Sequence, residues 1–497
     1  MAGRRDRLSK LPDPILAHIL SLMPVAPARR TSILSSRWRE LWKETWAPDF
    51  TGEVGRHTPD ELVAIVDRYL QLHTNKKIRS FRLCLHPVNP YEVRLEQWVE
   101  FAVSRSVEEL HLDLSPSPEI MAGKPFGERN QFKVPPCLFS SGSITHLSLG
   151  YCDLRPPVHF GSLPLLRSLS LRNVNIDDGM LRGILSNCLL LENLTLRECE
   201  GLRSIHVTSS GARLKRLVLV DCWDVVDLKI SGPGLESFHF FGELSMDFSF
   251  EEVSSLVDVF VCSINRECSE PWHDYTKLLS DLAHVRILTL CPATLMRLTI
   301  WEEYFVEYYE NHFPLRLENL RELQMLMPYF DAEYLTYMYG FFRLCPSPSL
   351  EKLFVRLPKL LEDPNTSSAK AKITEPPEGV QFDNLKVVKI NNFKGSRCEM
   401  ELVKFLLGRA SNLEFLVLVS PQIPASDDDR STWVECRFSE SRIVTEMDLS
   451  DLHMKLLLLP KASSHVEIIM SAYSEDDSSL EPTHASLYCD ADLYWLI

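Results

Sequence analysis

Long apolar runs and surplus positive charge are both missing from this sequence of 497 residues. No run of 18 apolar residues occurs, so we expect no membrane-spanning helix. The formal net charge is -15, which argues against nucleic acid as a partner, because phosphate binding needs a basic patch. The apolar fraction of 45% is ordinary for a folded soluble protein, and the length allows several domains or one long repeat array.

Cysteine pairs at short spacing are also missing. The 13 cysteines are scattered, no CxxC pair occurs, and the closest two are Cys262 and Cys268. An odd and dispersed set argues against a disulfide framework and against a zinc site. It fits reduced thiols, so we expect the protein in the cytoplasm, the nucleus or both.

Signatures of catalysis are missing as well. The sequence has no GxSxG, P-loop or HExxH motif and no paired metal-ligand spacing, and its 15 histidines are dispersed. We therefore predict a non-catalytic protein, with no cofactor and no metal.

A short repeat is what the sequence does contain. From residue 78, an apolar residue, two variable residues and an apolar-x-apolar triplet recur, as in LRSLSL from Leu166 and LENLTL from Leu191. Successive marker positions lie 22, 25, 23, 21 and 21 residues apart, at Leu147, Leu169, Leu194, Leu217, Phe238 and Val259. This period is typical of leucine-rich repeats, whose units have about 20–29 residues. Because one unit cannot bury its apolar face alone, we expect a curved solenoid with parallel strands over residues 75–380.

Cysteine and two irregular segments add detail to the array. Cys152, Cys199 and Cys222 each follow an LxL triplet after two residues, at the consensus Asn/Cys position of the repeat. We predict that these thiols are structural, because buried free cysteine behaves as a small hydrophobe. Residues 115–131 form an insertion, and residues 358–380 contain a polar stretch that indicates an exposed linker.

The N-terminus allows two interpretations. RRDR followed by apolar residues and VAPA suggests an export signal, but Pro12, Asp13, Pro14 and His18 interrupt its apolar core. The alternative is a helical module, because apolar residues recur every four positions at Leu11, Ile15, Ile19 and Met23, with Leu16 and Leu20 widening the stripe. This pattern predicts a helix that Pro24 stops, a second that follows Pro27 and runs to about Ser35, and a third in WRELWKETW (38–46).

The helical module, over residues 5–50, resembles the F-box. The matching features are the Leu11-Pro12 start, the apolar run to Met23-Pro24, Thr31-Ser-Ile-Leu-Ser, and Arg37-Trp38-Arg-Glu-Leu-Trp42; Pro27-Ala28-Arg29 departs from the pattern. The resemblance implies docking onto a Skp-type adaptor and, through it, a cullin. The adaptor-binding residues that it implies are Leu11, Pro12, Ile15, Leu16, Ile19, Leu20, Met23, Pro24, Leu34, Arg37 and Trp38. How many of them pack inward and how many face the adaptor stays open.

Residues 381–470 resemble the FBD region found at the C-terminus of many plant F-box proteins. The LVKFLL helix (402–407) and the LPKASS step (459–464) occur there in the same order. From the residues alone, this region is a last repeat-like unit that caps the solenoid. Residues 471–497 form an acidic tail, which we expect to be poorly ordered.

The expected fold class is therefore α/β, with a three-helix F-box, an irregular leucine-rich-repeat solenoid with parallel strands, and an FBD-like α/β cap. Such a protein is either the substrate receptor of a ubiquitin ligase or an interaction scaffold outside the ligase, and the sequence barely separates the two. An unknown target protein would bind the concave strand face. Candidate contact residues beside the LxL positions are Ser148, Arg172, Thr195, Arg197, His239 and Phe241.

Overall fold

The structure is a computed structural model that describes residues 8–53, 55–75, 77–116, 131–154, 163–208, 213–242, 247–263, 275–292, 294–296, 315–327, 330–358, 372–421, 446–472 and 480–487. The chain divides into two compact units, Met1–Leu235 and Glu236–Ile497. Most of the insertion 115–131, the linker 358–380 and the acidic tail 471–497 lies outside the described residues. Among the residues described, none of the helices has both the length and the apolar character to span a membrane.

Helices are concentrated at the N-terminus and then alternate with strands. In the described residues they are α1 Asp13–Ser21, α2 Val25–Arg30, α3 Ser36–Leu41, α4 Pro59–Leu72, α5 Glu92–Ser104, α6 Asp178–Asn187, α7 Tyr275–Asp281, α8 Ala332–Leu344, α9 Arg397–Arg409 and α10 Glu446–Leu457. Short 3₁₀ turns are Leu8–Lys10, Thr31–Ile33, Trp42–Glu44, Thr51–Glu53, Pro136–Ser140 and Ala485–Leu487.

The strands are short and regularly spaced. They are β1 Ser80–Cys84, β2 Glu109–Asp113, β3 Phe132–Lys133, β4 His146–Gly150, β5 Cys152–Asp153, β6 Ser168–Arg172, β7 Asn193–Arg197, β8 Ser204–Thr208, β9 Arg216–Val220 and β10 Asp227–Ser231 in the first unit. The second unit has β11 Ser237–Gly242, β12 Asp247–Glu251, β13 Asp258–Ser263, β14 Ile287–Leu290, β15 Glu322–Leu326, β16 Lys352–Arg356, β17 Val387–Asn391, β18 Phe415–Val419 and β19 Glu467–Ser471.

The N-terminal module contains the three helices that the sequence predicts, but with different boundaries: α2 ends at Arg30 instead of about Ser35, and α3 spans Ser36–Leu41 instead of 38–46. Helix α1 ends at Ser21, and Pro24 stands immediately before α2. Helix α2 begins at Val25 and not after Pro27, because the third residue of a helix has no intrahelical partner for its N–H, so a proline is tolerated there. The Oγ atom of Ser21 donates to the Ala17 carbonyl and accepts from the Trp46 N–H at 3.1 Å, which ties the end of the module to α1.

Parallel pairing of the LxL strands confirms the repeat prediction. In the first unit β1, β2, β4, β6, β7 and β9 pair in that order, and β11 and β13 to β19 do so in the second. The marker residues align across these pairs: Leu147 faces Leu169, Leu169 faces Leu194, and Leu194 faces Leu217. In β6 and β7 both leucines of the triplet are buried while their neighbours are partly exposed, as expected for alternating side chains on stacked strands.

A tight turn and a buried thiol follow several strands. Glu198 and Asp221 adopt the left-handed backbone conformation directly after their strands, with φ of 50° and 52°. The chain then turns inward to Cys199 and Cys222, whose Sγ atoms lie 3.6 Å from the Leu171 carbonyl and 3.7 Å from the Leu196 carbonyl of the neighbouring repeat. The ten cysteines of the described residues are free thiols, and Cys152, Cys199 and Cys222 are buried, so these three serve packing.

The C-terminal region continues the strand ladder. Strand β16 pairs with β17, β17 with β18, and β18 with β19, all parallel. Helix α9 begins with a capping box, in which Ser396 and Glu399 satisfy each other's backbone N–H groups. The LPKASS step docks beside this helix, because the Ala462 N–H donates to the Leu407 carbonyl at 2.8 Å and Ser463 Oγ donates to the Leu413 carbonyl at 2.7 Å.

Candidate binding surfaces

Helix α1 has two apolar faces with different environments. At about 100° per residue, Leu16 and Leu20 lie on one side, while Ile15 and Leu22 lie on the other. The first pair is buried at 0% and 1% exposure, whereas Ile15 and Leu22 are 46% and 75% exposed. The helix therefore holds the module together with one face and presents apolar side chains to solvent with the other.

The implied adaptor-binding residues divide in the same way. Pro12, Ile15 and Leu34 are exposed, while Leu11, Ile19, Met23, Pro24 and Arg37 are half-buried. Leu16, Leu20 and Trp38 belong to the core of the module and must be removed from the set, because side chains at most 5% exposed cannot meet a partner while the module stays folded.

Further exposed apolar residues were missed in the sequence. Leu8, Leu22 and Ile33 are 56%, 75% and 85% exposed. A strict period of four skips Leu22, but the helical period of 3.6 places it on the side of Ile15. We call Leu8, Ile15, Leu22, Ile33 and Leu34 the exposed apolar set. A concentration of exposed aliphatic side chains in one small module is typical of an interaction surface.

Arg37 joins the first and third helices. Its guanidinium donates to the Leu11 carbonyl through Nη2 and to Asp13 Oδ1 through Nε, each at 2.5 Å. These bonds fix the start of α1 against α3. The side chain is 35% exposed, so its contribution is partly screened by solvent.

The strand face of the first unit keeps four of the predicted target-contact residues accessible. Ser148 and Thr195 are half-buried and lie in one row across β4, β6 and β7, with Ser170 between them. Arg172 and Arg197 are neighbours in the next row. The Nε atom of Arg172 lies 3.6 Å from Glu198 Oε1, so this row presents positive charge partly balanced by a carboxylate.

The strand face of the second unit is covered, which corrects the expectation for His239 and Phe241. Phe241 is 1% exposed, and the His239 ring lies 4.9 Å from the ring of His484. The row that begins at His239 continues through Thr289, Gln324 and Lys389, whose side chains are buried. Polar side chains on a solvent-facing strand surface become buried only when another segment lies over them.

Residues 480–487 are that segment. Lys389 Nζ donates to the Leu480 carbonyl at 3.0 Å, and the Thr483 N–H donates to Glu322 Oε1 at 2.8 Å. His484 Nδ1 lies 2.7 Å from Thr289 Oγ1. Thr289, Glu322 and Lys389, three buried polar side chains of the strand face, therefore meet partners on the C-terminal segment, as burial of polar groups requires.

One group of side chains in the described residues has the composition of a metal site. His239, Asp258 and His484 each offer a ligand atom, and these atoms lie within 4.8 Å of one another. Sequence spacing could not indicate the group, because its members come from three distant parts of the chain.

Two known families match the parts of the chain that carry these surfaces. Residues 8–46 match the F-box domain family, and residues 69–471 match the family described as "At1g61320/AtMIF1, LRR domain", which covers more than half of the chain. The chain belongs to the plant F-box/leucine-rich-repeat proteins. The second match runs through residues 381–470, so this family includes the segment that resembles the FBD region.

Four relatives of this F-box/leucine-rich-repeat chain are from Arabidopsis thaliana. F-box/FBD/LRR-repeat protein At1g13570 is 26% identical, with 84% of this chain and 92% of the relative covered. F-box/LRR-repeat protein 25 is 36% identical, with 43% of this chain and 75% of the relative covered. The chain covers less than two thirds of two others, 64% of putative F-box/LRR-repeat protein At5g54820 and 41% of putative F-box/LRR-repeat protein At5g02930.

Family membership indicates the general role of each of the two surfaces. The F-box is a module that binds a Skp-type adaptor, and leucine-rich repeats bind proteins. Neither matched family is an enzyme family, and F-box/leucine-rich-repeat proteins are generally non-catalytic adaptors. The exposed apolar set lies inside the F-box match, whereas the strand face lies inside the repeat match.

Proposed function

We propose that this protein is the substrate receptor of a ubiquitin ligase built from a Skp-type adaptor and a cullin. The observation that supports this proposal is the exposed apolar set in the F-box. Ile15 and Leu22 point away from a core that Leu16 and Leu20 already fill, so their exposure serves no packing purpose within the module. Burial of an exposed leucine or isoleucine side chain contributes about 1.5–3 kcal/mol.

The mechanism requires no chemistry from this chain. The F-box would fix the protein on the adaptor, and the strand face would hold the target. A target lysine is then kept near the ubiquitin-loaded conjugating enzyme, which raises its effective concentration. The accessible candidates for target contact are Ser148, Thr195, Arg172 and Arg197 of the first unit. We place this activity in the cytoplasm, the nucleus or both.

Binding to a purified Skp-type adaptor tests the first step. We expect Ile15→Asp and Leu34→Asp to weaken binding by at least about tenfold, because an unpaired carboxylate would enter an apolar interface. Both positions are exposed, so the fold should tolerate the change. Val93→Asp is the matched control, since Val93 is 65% exposed on α5, outside the F-box match. Equal binding by all four proteins, or none by the wild type, would overturn the proposed docking.

The second candidate is a scaffold outside the ligase. The same docking face favours it, but a scaffold would not recruit a cullin. Isolation of the full chain with the adaptor should recover a cullin if the protein is a ligase receptor. In that case Ile15→Asp should lose adaptor and cullin together. Stable adaptor binding without any cullin, under conditions in which another F-box protein recovers it, would favour the scaffold.

A further inference from the structure

His239, Asp258 and His484 converge in the second unit from strands β11 and β13 and the segment 480–487. The Nε2 atom of His239 lies 3.1 Å from Asp258 Oδ1, and the Nε2 atom of His484 lies 3.7 Å from the same oxygen. His484 is 2% exposed. Two imidazoles therefore approach one carboxylate oxygen inside the protein.

These separations match those between ligands of one metal ion. Two bonds of about 2.0–2.1 Å at a tetrahedral angle place their donor atoms about 3.3 Å apart. The two observed separations of 3.1 and 3.7 Å lie on either side of that value. All three ligand atoms lie within 4.8 Å of one another, so only small side-chain movements would complete the site.

Hydrogen bonding alone leaves this cluster incomplete. The distance of 3.7 Å is too long for a good hydrogen bond between His484 Nε2 and the carboxylate. This buried nitrogen has no hydrogen-bond partner among the described residues. A buried polar atom without a partner is uncommon, and an ion is one of the ordinary explanations.

Neighbouring hydroxyl groups orient the two imidazole rings. Thr289 Oγ1 lies 2.7 Å from Nδ1 of His484, which orients the ring so that Nε2 faces Asp258. The Oγ atom of Ser237 lies 3.0 Å from Nε2 of His239, which helps to orient that ring toward Asp258.

We propose that His239, Asp258 and His484 bind a divalent transition-metal ion of the zinc class, which clasps the segment 480–487 onto the strand face. Two imidazoles and one carboxylate suit Zn²⁺ better than Mg²⁺ or Ca²⁺, which prefer oxygen ligands. The fourth position is left for water. The metal site is independent of the proposed ligase function and requires neither adaptor nor target.

Zn²⁺ titration of the chelator-treated full chain, against a chromophoric competitor, tests the proposal. We expect the wild type to bind one more Zn²⁺ ion per chain than His484→Gln or Asp258→Asn. Thr289→Val should keep the site but weaken it about tenfold, because it removes only the group that orients His484. His206→Gln is the matched control: His206 pairs with Asp227 at 2.9 Å on the surface of the first unit, and its loss should change nothing.

A second measurement does not depend on how well the variants fold. Co²⁺ bound to the wild type in place of Zn²⁺ should give the intense visible absorption of a tetrahedral site. Zn²⁺ should also slow hydrogen exchange over residues 480–487 in the wild type and not in His484→Gln. Equal Zn²⁺ binding by wild type, His484→Gln and Asp258→Asn would overturn the proposal, as would a Co²⁺ complex without tetrahedral absorption.

Discussion

The two faces of α1 predict opposite outcomes for one chemical change. Leu16 is fully buried, whereas Leu22, six residues further along, is 75% exposed. Leu16→Ala removes buried methyl groups and leaves a cavity, which costs about 2–5 kcal/mol. Leu22→Ala creates no cavity, so its effect on stability should stay within about 0.5 kcal/mol. The same substitution should therefore destabilise the module at Leu16 and leave its stability nearly unchanged at Leu22.

Hydrogen exchange over residues 13–44, measured on the full chain, is the appropriate assay because it reports local opening. A loss of 2 kcal/mol corresponds to about 30-fold faster exchange, since 1.4 kcal/mol is tenfold. We expect at least this acceleration for Leu16→Ala and less than about threefold for Leu22→Ala. Adaptor binding should fall for Leu22→Ala despite its unchanged exchange. Equal acceleration in both variants would refute the assignment of the two faces.

Other predictions concern thiols, a helix cap and pH. The hydrogen bond with Cys222 and burial raise the pKa of Cys199. Iodoacetamide at pH 8 should therefore label Cys199 far more slowly than the half-exposed Cys398, as measured by peptide mass spectrometry. Denaturation should abolish the difference. Ser396→Ala should cost about 1 kcal/mol at the start of α9, seen as roughly fivefold faster exchange there and not in α8. Burial lowers the pKa of His73, so below about pH 6.5 the unfolded chain binds a proton more readily than the folded chain does. The free energy of unfolding should therefore fall from pH 7 to pH 5. The fall should be smaller in His73→Gln.

Local pattern was sufficient for the strands. Each LxL triplet buries two side chains, and the markers from Leu147 to Leu217 align as their spacing predicts. The buried and exposed faces of α1 were harder to predict from the sequence. Apolar residues on both sides of α1 read as one wide stripe in the sequence, because hydrophobicity does not say which side the rest of the module covers. Only the packing of α3, in which Trp38 and Leu41 are buried, against α1 separates Leu16 from Ile15.

Contacts between distant parts of the chain lay beyond the reach of the sequence. His239 and Phe241 stand beside an LxL position, as Ser148 and Arg172 do, and nothing local distinguishes the four. His484 lies in a segment that the sequence marked only as an acidic tail. Its contacts with Thr289 and Asp258 join parts of the chain that are about 200 residues apart in the sequence. No repeat period or short motif encodes contacts of that range.

Coverage of the second strand face bears on where a target can bind. A target that used the row of His239, Thr289, Gln324 and Lys389 would have to displace residues 480–487 and their buried hydrogen bonds. Each such bond to a buried partner costs about 1–3 kcal/mol to leave unmade. A target on Ser148, Thr195, Arg172 and Arg197 meets no such obstacle. We therefore expect the first unit to be the better target surface while the segment stays in place, and a bound metal ion would strengthen that preference.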